Sequence, residues 1–300
     1  MDSKQFQMEW SVSQRESGLL VKEFLQQKQL TKRAIIDIKF SGGCITVNGI
    51  QETVRKKVTA GDKVAVLFPV EKPSESLIPQ DLELSIVYED DHCIVLNKAA
   101  GMPTIPSMLY PHSTLANGLL YHLQKQGLSS TIHIVNRLDK DTSGLMLAAK
   151  HRFSHSQFSK QQKQAGIHRT YTAIVHGKLQ LDKGIISKPI GRNLQSIIER
   201  EVREDGQYAA TAYLTLGRKQ DCSLAELKLE TGRTHQIRVH MSSIGHPLAG
   251  DTLYGGSDRL MKRQALHSSE LTFWHPFKEE QMSFHATLPK DMKEFWNTSE

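Results

Sequence analysis

The chain has 300 residues, 38% hydrophobic and 23% charged, the balance of an ordinary globular protein. That length exceeds what one small core fills and fits one large domain, or a large domain with a small attachment. No apolar run approaches the roughly 18 residues of a membrane span, and Met1-Asp2-Ser3-Lys4-Gln5 lacks the apolar stretch of a secretion signal.

The three cysteines, Cys44, Cys93 and Cys222, are odd in number and lack paired metal-ligand spacing, so reduced core thiols and a cytoplasmic setting are expected. The net charge of +6 is compatible with a polyanionic partner without proving one. It is uneven: residues 1–70 carry 11 Lys/Arg against 7 Asp/Glu, and the other 230 carry 27 against 25. The smaller segment holds most of the excess, as expected of an attachment that touches a phosphate backbone.

From Gly18 to about Gln29, Leu19, Leu20, Phe24 and Leu25 recur at roughly helical spacing. Thr31 is the expected cap of a second helix through Ala34, Ile35, Ile36 and Ile38, stopping at Ser41-Gly42-Gly43. Ile45-Thr46-Val47 then meets Asn48-Gly49, a tight-turn signal, and Val64-Ala65-Val66 follows Gly61-Asp62 as a second strand. With Thr31-Lys32-Arg33 opening the helix and Val47-Asn48-Gly49 after it, residues 14–69 resemble the S-four-type RNA-binding domain. The resemblance makes Lys28, Lys32, Arg33 and Lys39 candidates for phosphate contacts. A purely structural cap is the competing reading.

Residues 70–80 are mostly polar, include two prolines and read as a linker to a larger domain over 81–295. There, Leu84–Tyr88 and Cys93–Asn97 flank the acidic turn Glu89-Asp90-Asp91 as a hairpin would. Ser113 is the expected cap of a helix burying Leu115, Leu119 and Leu123, and another helix is expected over 152–164, closed by Gly166. Strand patterns follow at 170–176, 209–216, 222–231, 234–241 and 282–288. No regular βαβ rhythm separates them. The expectation is therefore α+β: a large mixed, mostly antiparallel sheet beside a small N-terminal α/β module.

Three segments carry candidate chemistry. Ile134-Val135-Asn136-Arg137-Leu138-Asp139-Lys140-Asp141-Thr142-Ser143-Gly144 runs from apolar into charged and hydroxyl residues, a loop able to hold a carboxylate at a sheet edge. Read alone, it is also an ordinary turn in which Asp bonds its own backbone. Along Arg169–Val175, strand alternation puts Tyr171 on the face of Ala173 and Val175, either as core or as a flat ring at a cleft edge. In Leu227–His240, strand parity puts Arg233 beside Leu227, Leu229, Ile237 and Val239. A guanidinium on an apolar face needs a carboxylate, because an unpaired buried charge costs roughly several kcal/mol. Parity does not say which carboxylate, and a surface arginine beside a bulge is the alternative.

Together these segments resemble the RluA-type family of pseudouridine synthases, with its His-Arg-Leu-Asp-x-x-Thr-Ser-Gly, Lys-x-Tyr and Thr-Gly-Arg-x-His-Gln-Ile-Arg-x-His blocks in that order. His246–Asp251, Tyr254-Gly255, Gln264–His267 and His275-Pro276 extend the likeness, which covers roughly 82–290. Asn136 stands where the family usually has His, and Arg169 where Lys is common.

The resemblance implies an enzyme that turns selected uridines of structured RNA, ribosomal or transfer, into pseudouridine. Nothing is oxidised and nothing leaves the RNA, so no cofactor and no metal is expected; RNA is the expected partner, a membrane is not, and a monomer is expected. By the same resemblance, Asp139 is the essential carboxylate, as nucleophile or as base. Arg233 pairs with it, Tyr171 stacks on the extruded uracil and assists removal of its C5 proton, and Arg137 displaces the base. Asp141 is the nearest rival carboxylate. A binding-only protein is one alternative. A metal-dependent hydrolase is another, prompted by the 14 histidines, but His151 and His155 lack a third ligand, and His235 and His240 point apart if they share a strand.

Overall fold

The computed structural model describes residues 5–128, 130–259 and 261–298. Residues 1–4, 129, 260, 299 and 300 lie outside it, and with them most of the N-terminal stretch read against a secretion signal. Among the described residues, no helix is long and apolar enough to cross a membrane.

The N-terminal module has four strands, β1 (Gln7–Ser11), β2 (Cys44–Val47), β3 (Ile50–Gln51) and β4 (Lys63–Leu67), in the order β1-β4-β2-β3. Two helices, α1 (Val21–Gln27) and α2 (Lys32–Phe40), cover it. Thr31 caps α2, its hydroxyl accepting from the Ala34 N–H at 3.1 Å. Asn48 and Gly49, at φ 51° and 81°, make the tight turn that links β2 and β3. The module begins earlier than residue 14: β1 pairs along its whole length with β4, and Val12 joins the module's core with Phe24, Leu25, Ile38 and Val66. Polar alternation along Gln7–Ser11 hid this edge strand, of which one side stays exposed.

The larger domain is built on a ten-stranded sheet. Its strands are β5 (Ile86–Glu89), β6 (Cys93–Lys98), β7 (His133–Ile134), β8 (Ser143–Ala149), β9 (Ile167–His176), β10 (Lys183–Ser187), β13 (Ala210–Arg218), β14 (Cys222–Leu229), β15 (Leu266–His275) and β16 (Glu280–His285). A separate ribbon pairs β11 (Ile190–Arg192) with β12 (Arg200–Val202). The order is β10-β13-β14-β9-β15-β8-β6-β5, with β16 on β15 and β7 on β8. Every pairing is antiparallel except β8 with β15, where Ser143 and Gly144 meet His267 and Ser268. The fold is thus α+β with a mostly antiparallel sheet.

Both faces of the central strands are covered, so they read as continuous apolar runs rather than alternating ones. On β8, Met146 and Ala148 join the core under α3 (Leu115–Lys125) and α5 (Gln236–Ser243), while Leu145 and Leu147 face α4 (Arg152–Lys163) through Phe158. The chain closes with α6 (Lys290–Thr298). Two helix ends differ from expectation. Thr114 rather than Ser113 caps α3, with Ser113 at φ 56°, and Ala165 rather than Gly166 turns left-handed after α4, at φ 55°.

The module rests against α4 and its approach. Phe6 stacks on His151 with ring centres 3.6 Å apart, Phe68 stacks on Phe153, and Gln157 donates to the Gln29 carbonyl at 3.1 Å.

Candidate active site

The loop between β7 and β8 carries Asp139 at the edge of an open pocket, and several buried groups fix it. The Lys98 amine donates to the carbonyls of Ala99, Met102 and Lys140 at 2.8, 2.9 and 2.8 Å, and the Thr104 hydroxyl donates to the Leu138 carbonyl at 2.8 Å. Burial pushes the Lys98 amine down to about 7, with the negative charges of Asp141 and Asp139 opposing. Asn136, where the family pattern has His, is 1% exposed, and its Oδ1 accepts the Leu147 N–H at 2.8 Å, tying the loop to β8.

Arg238, on α5, is the guanidinium that reaches Asp139, its Nη1 donating to Oδ2 at 3.2 Å. Its other edge grips the buried Asp251 with Nε and Nη2 at 2.7 and 2.8 Å, a bidentate pair. Burial alone would lower the pKa of this guanidinium, but the bonds and charges of Asp251 and Asp139 raise it instead. Arg238 therefore stays charged, and the carboxylate it faces is aimed and half-buried.

The expected partner, Arg233, does not do this. It lies exposed at the pocket rim, its Nε donating to the Tyr208 carbonyl at 3.0 Å. The correction has a plain cause: residues 234–241 are not a strand, because His235 turns left-handed at φ 57° and starts helix α5. Strand parity then fails, and Arg238 points where Arg233 was expected.

Tyr171 is 4% exposed, on the same face of β9 as Ala173 and Val175, and its ring packs with Leu138, Ile237 and Leu266 while lining the pocket. Its hydroxyl has no protein hydrogen bond among the described residues. Arg137 and Arg169 line the same pocket, Arg137 from an exposed position. Asp141 does not line it. Lys32 and Arg33 stand exposed on the first turn of α2, and no residue of the N-terminal module lines this pocket. Sequence reasoning missed Arg238, Asp251 and, as a member of the site, His235, whose Nε2 lies 3.8 Å from Asp139 Oδ2. The alternation of the three basic residues His235, Arg238 and His240 with apolar ones was the available signal, and it favoured the wrong period.

The metal reading also has a place to be tested. Asp90, Cys93 and His275 converge elsewhere in the domain. His275 Nδ1 accepts from the backbone N–H groups of Phe277 and Lys278, so the ring proton sits on Nε2, 2.9 Å from Asp90. Asp90 Oδ1 already accepts the N–H groups of His92 and Cys93 at 2.8 and 2.9 Å. A protonated Nε2 has no lone pair for an ion, so the cluster is a close imidazole–carboxylate contact between β15 and the β5–β6 turn.

A mixed sheet thus holds a carboxylate, clamped by a buried arginine, beside a tyrosine at one open pocket. Residues 92–243 match the family of RNA pseudouridylate synthases, and the chain belongs to that family. It is 48% identical over 274 residues to the uncharacterized RNA pseudouridine synthase YjbO of Bacillus subtilis, covering 91% of this chain and 97% of that one. It is 39% identical over 267 residues to the ribosomal large subunit pseudouridine synthase D of Vibrio cholerae, covering 84% and 82%. Among solved structures, human RNA pseudouridylate synthase domain containing 1 superposes with a TM-score of 0.58 at 26% identity, covering 72% and 86%. The chain is an RNA pseudouridine synthase, an isomerase acting on uridines in RNA.

Proposed function

We propose that this enzyme modifies uridines of large-subunit ribosomal RNA in the cytoplasm, with Asp139 as its catalytic carboxylate. The observation that carries the reading is the Arg238–Asp139 contact at 3.2 Å, at the edge of a pocket that Tyr171 lines. The ribosomal substrate is supported by the printed activity of relatives such as the Vibrio cholerae protein.

In this reading the target uridine leaves its stack, at a cost of about a few kcal/mol, less in a loop. Arg137 stands at the pocket mouth to hold the displaced base's place. Asp139, aimed by Arg238, acts on the nucleotide as nucleophile or base while the C1′–N1 bond breaks. The uracil turns on the Tyr171 ring, C5 bonds to C1′, the C5 proton leaves with help from Tyr171, and N1 gains a proton. Arg233 serves at the rim as a phosphate contact instead of as the carboxylate's partner. The N-terminal module is read as an S-four-type RNA-binding domain, with Lys32 and Arg33 meeting the backbone beyond the pocket; Lys28 is instead held by Glu16 at 2.8 Å.

Mapping pseudouridine in ribosomal and transfer RNA, with and without the protein, tests the reading. A site lost from large-subunit RNA and restored by the wild type but not by Asp139→Asn is the expected result. Loss confined to transfer RNA would overturn the substrate, and turnover by Asp139→Asn would overturn the mechanism.

A further inference from the structure

His235 holds a backbone state that residues with a β-carbon rarely take: φ 57° and ψ 18°, at the N-cap of α5. Such strain persists where neighbours over-determine it, often at functional sites. Here it aims the imidazole between two polar groups. Nδ1 lies 2.8 Å from the Tyr254 hydroxyl, and Nε2 lies 3.8 Å from Asp139 Oδ2.

The tautomer is assigned from the network. The Tyr254 oxygen accepts the backbone N–H of Arg200 at 2.9 Å, and we assign its own hydrogen to His235 Nδ1. The ring proton then sits on Nε2. At 3.8 Å this N–H is beyond hydrogen-bond length from Asp139, so it is not consumed there and faces the pocket that His235 lines. Tyr254 is itself held: the Arg238 guanidinium lies 4.9 Å over its ring, and its carbonyl accepts the Ser242 hydroxyl at 2.8 Å. Burial, with Arg238 beside it, keeps the imidazole's pKa below its ordinary 6.5 against the pull of Asp139, so the ring is neutral at neutral pH.

We infer that His235, locked in its Nε2–H tautomer by Tyr254, donates a hydrogen bond to the target uracil as the base parts from ribose. The inference rests on the reading of Asp139 given above. When the C1′–N1 bond breaks, its electron pair stays with the uracil and spreads over N1, O2 and O4. A carboxylate cannot receive that charge, and the Arg238 edge is divided between two carboxylates. Among the described residues, Arg238 and His235 are the side chains whose nitrogens approach Asp139, and of the two His235 keeps an uncommitted N–H. No proton is transferred by it; the bond stabilises the growing negative charge on a uracil oxygen until C5 closes on C1′.

The test follows tritium release from ribosomal RNA transcribed with 5-tritiated uridine, under single-turnover conditions and across pH. His235→Leu is expected to slow release on the order of 100-fold with RNA binding within about threefold of wild type. His235→Gln places an amide N–H near the Nε2 position and is expected to recover most of the rate. Wild-type rates fall below pH 6.5 as the imidazole gains a second proton and ties down Asp139, and the Gln variant lacks that limb. A Leu variant at the wild-type rate, a Gln variant as slow as Leu, or an acid limb kept by Gln would each overturn the inference. Should the Leu variant fail to fold, the pH profile of the Gln variant decides. Asp139→Asn in the same assay separates the two claims: if it is inactive while Leu is not, the mechanism stands and the role of His235 falls.

Discussion

Arg238 is bound more tightly to Asp251 than to Asp139: two short bonds of 2.7 and 2.8 Å to the first, one of 3.2 Å to the second. Asp251 fixes the arginine, and the arginine in turn aims the carboxylate. Lysine cannot span both carboxylates, because its ammonium is a point charge without a planar fork. Arg238→Lys is therefore expected to lower kcat on the order of 100-fold. Asp251→Ala leaves the buried arginine half-paired and is expected to destabilise the fold by roughly 3–5 kcal/mol, read from urea unfolding. A kcat for Arg238→Lys near wild type would remove the clamp from the mechanism.

Arg233→Ala separates rim from clamp. Its side chain is exposed and, among the described residues, bonds a carbonyl through Nε, so stability is expected to change by less than about 0.5 kcal/mol. Weaker RNA binding with a reduced salt slope, and kcat within about tenfold of wild type, are expected. A collapse of kcat equal to that of Asp139→Asn would place Arg233 in the chemistry after all.

Much of the site was legible in the sequence. The apolar-to-charged transition and strand alternation left Asp139 and Tyr171 as candidates among alternatives, and the resemblance to RluA-type synthases selected them. The partner was not legible. Ile237, Arg238, Val239, His240 and Met241 are all buried, so α5 has no exposed face and leaves no 3.6-residue period to read. Two β-branched residues at even spacing then imitate a strand, and the shift to helix depends on one left-handed residue, His235, of a type that gives no warning. β8 escaped notice for a related reason: Ser143–Ala149 is buried on both faces, and alternation vanishes.

Acid should loosen the molecule through its buried imidazoles. Burial pushes His92 and His267 down to about 4, and His151 well below its ordinary 6.5. The unfolded chain therefore takes up protons first as pH falls. Their contribution is complete above pH 6.5 and is lost as pH drops toward 4. The urea midpoint is expected to fall steeply across that window. His151→Phe keeps an aromatic ring against Phe6 and should flatten the fall; an unchanged slope would exclude His151 as a source.

Gly144 sits at φ 113° where β8 meets β15, and an added β-carbon would lie 2.3 Å from the Ser268 carbonyl oxygen. Only backbone stands in the way, so nothing flexible can yield. Gly144→Ala is expected to give a protein unfolded or destabilised by more than about 4 kcal/mol, by circular dichroism on heating. A fold of wild-type stability would show that this strand contact is softer than its geometry.

That same parallel contact sets a schedule for biosynthesis. The carboxylate-bearing loop leads straight into β8, whose neighbour β15 starts only at Leu266. A ribosome that has made the first two hundred residues has therefore already joined Asp139 and Tyr171 into the chain but none of the strand that seats them. Helix α5 and Asp251 also arrive late. A nascent chain halted short of His275 can bear the N-terminal module and the acidic loop together, yet it has no finished pocket before its own synthesis ends.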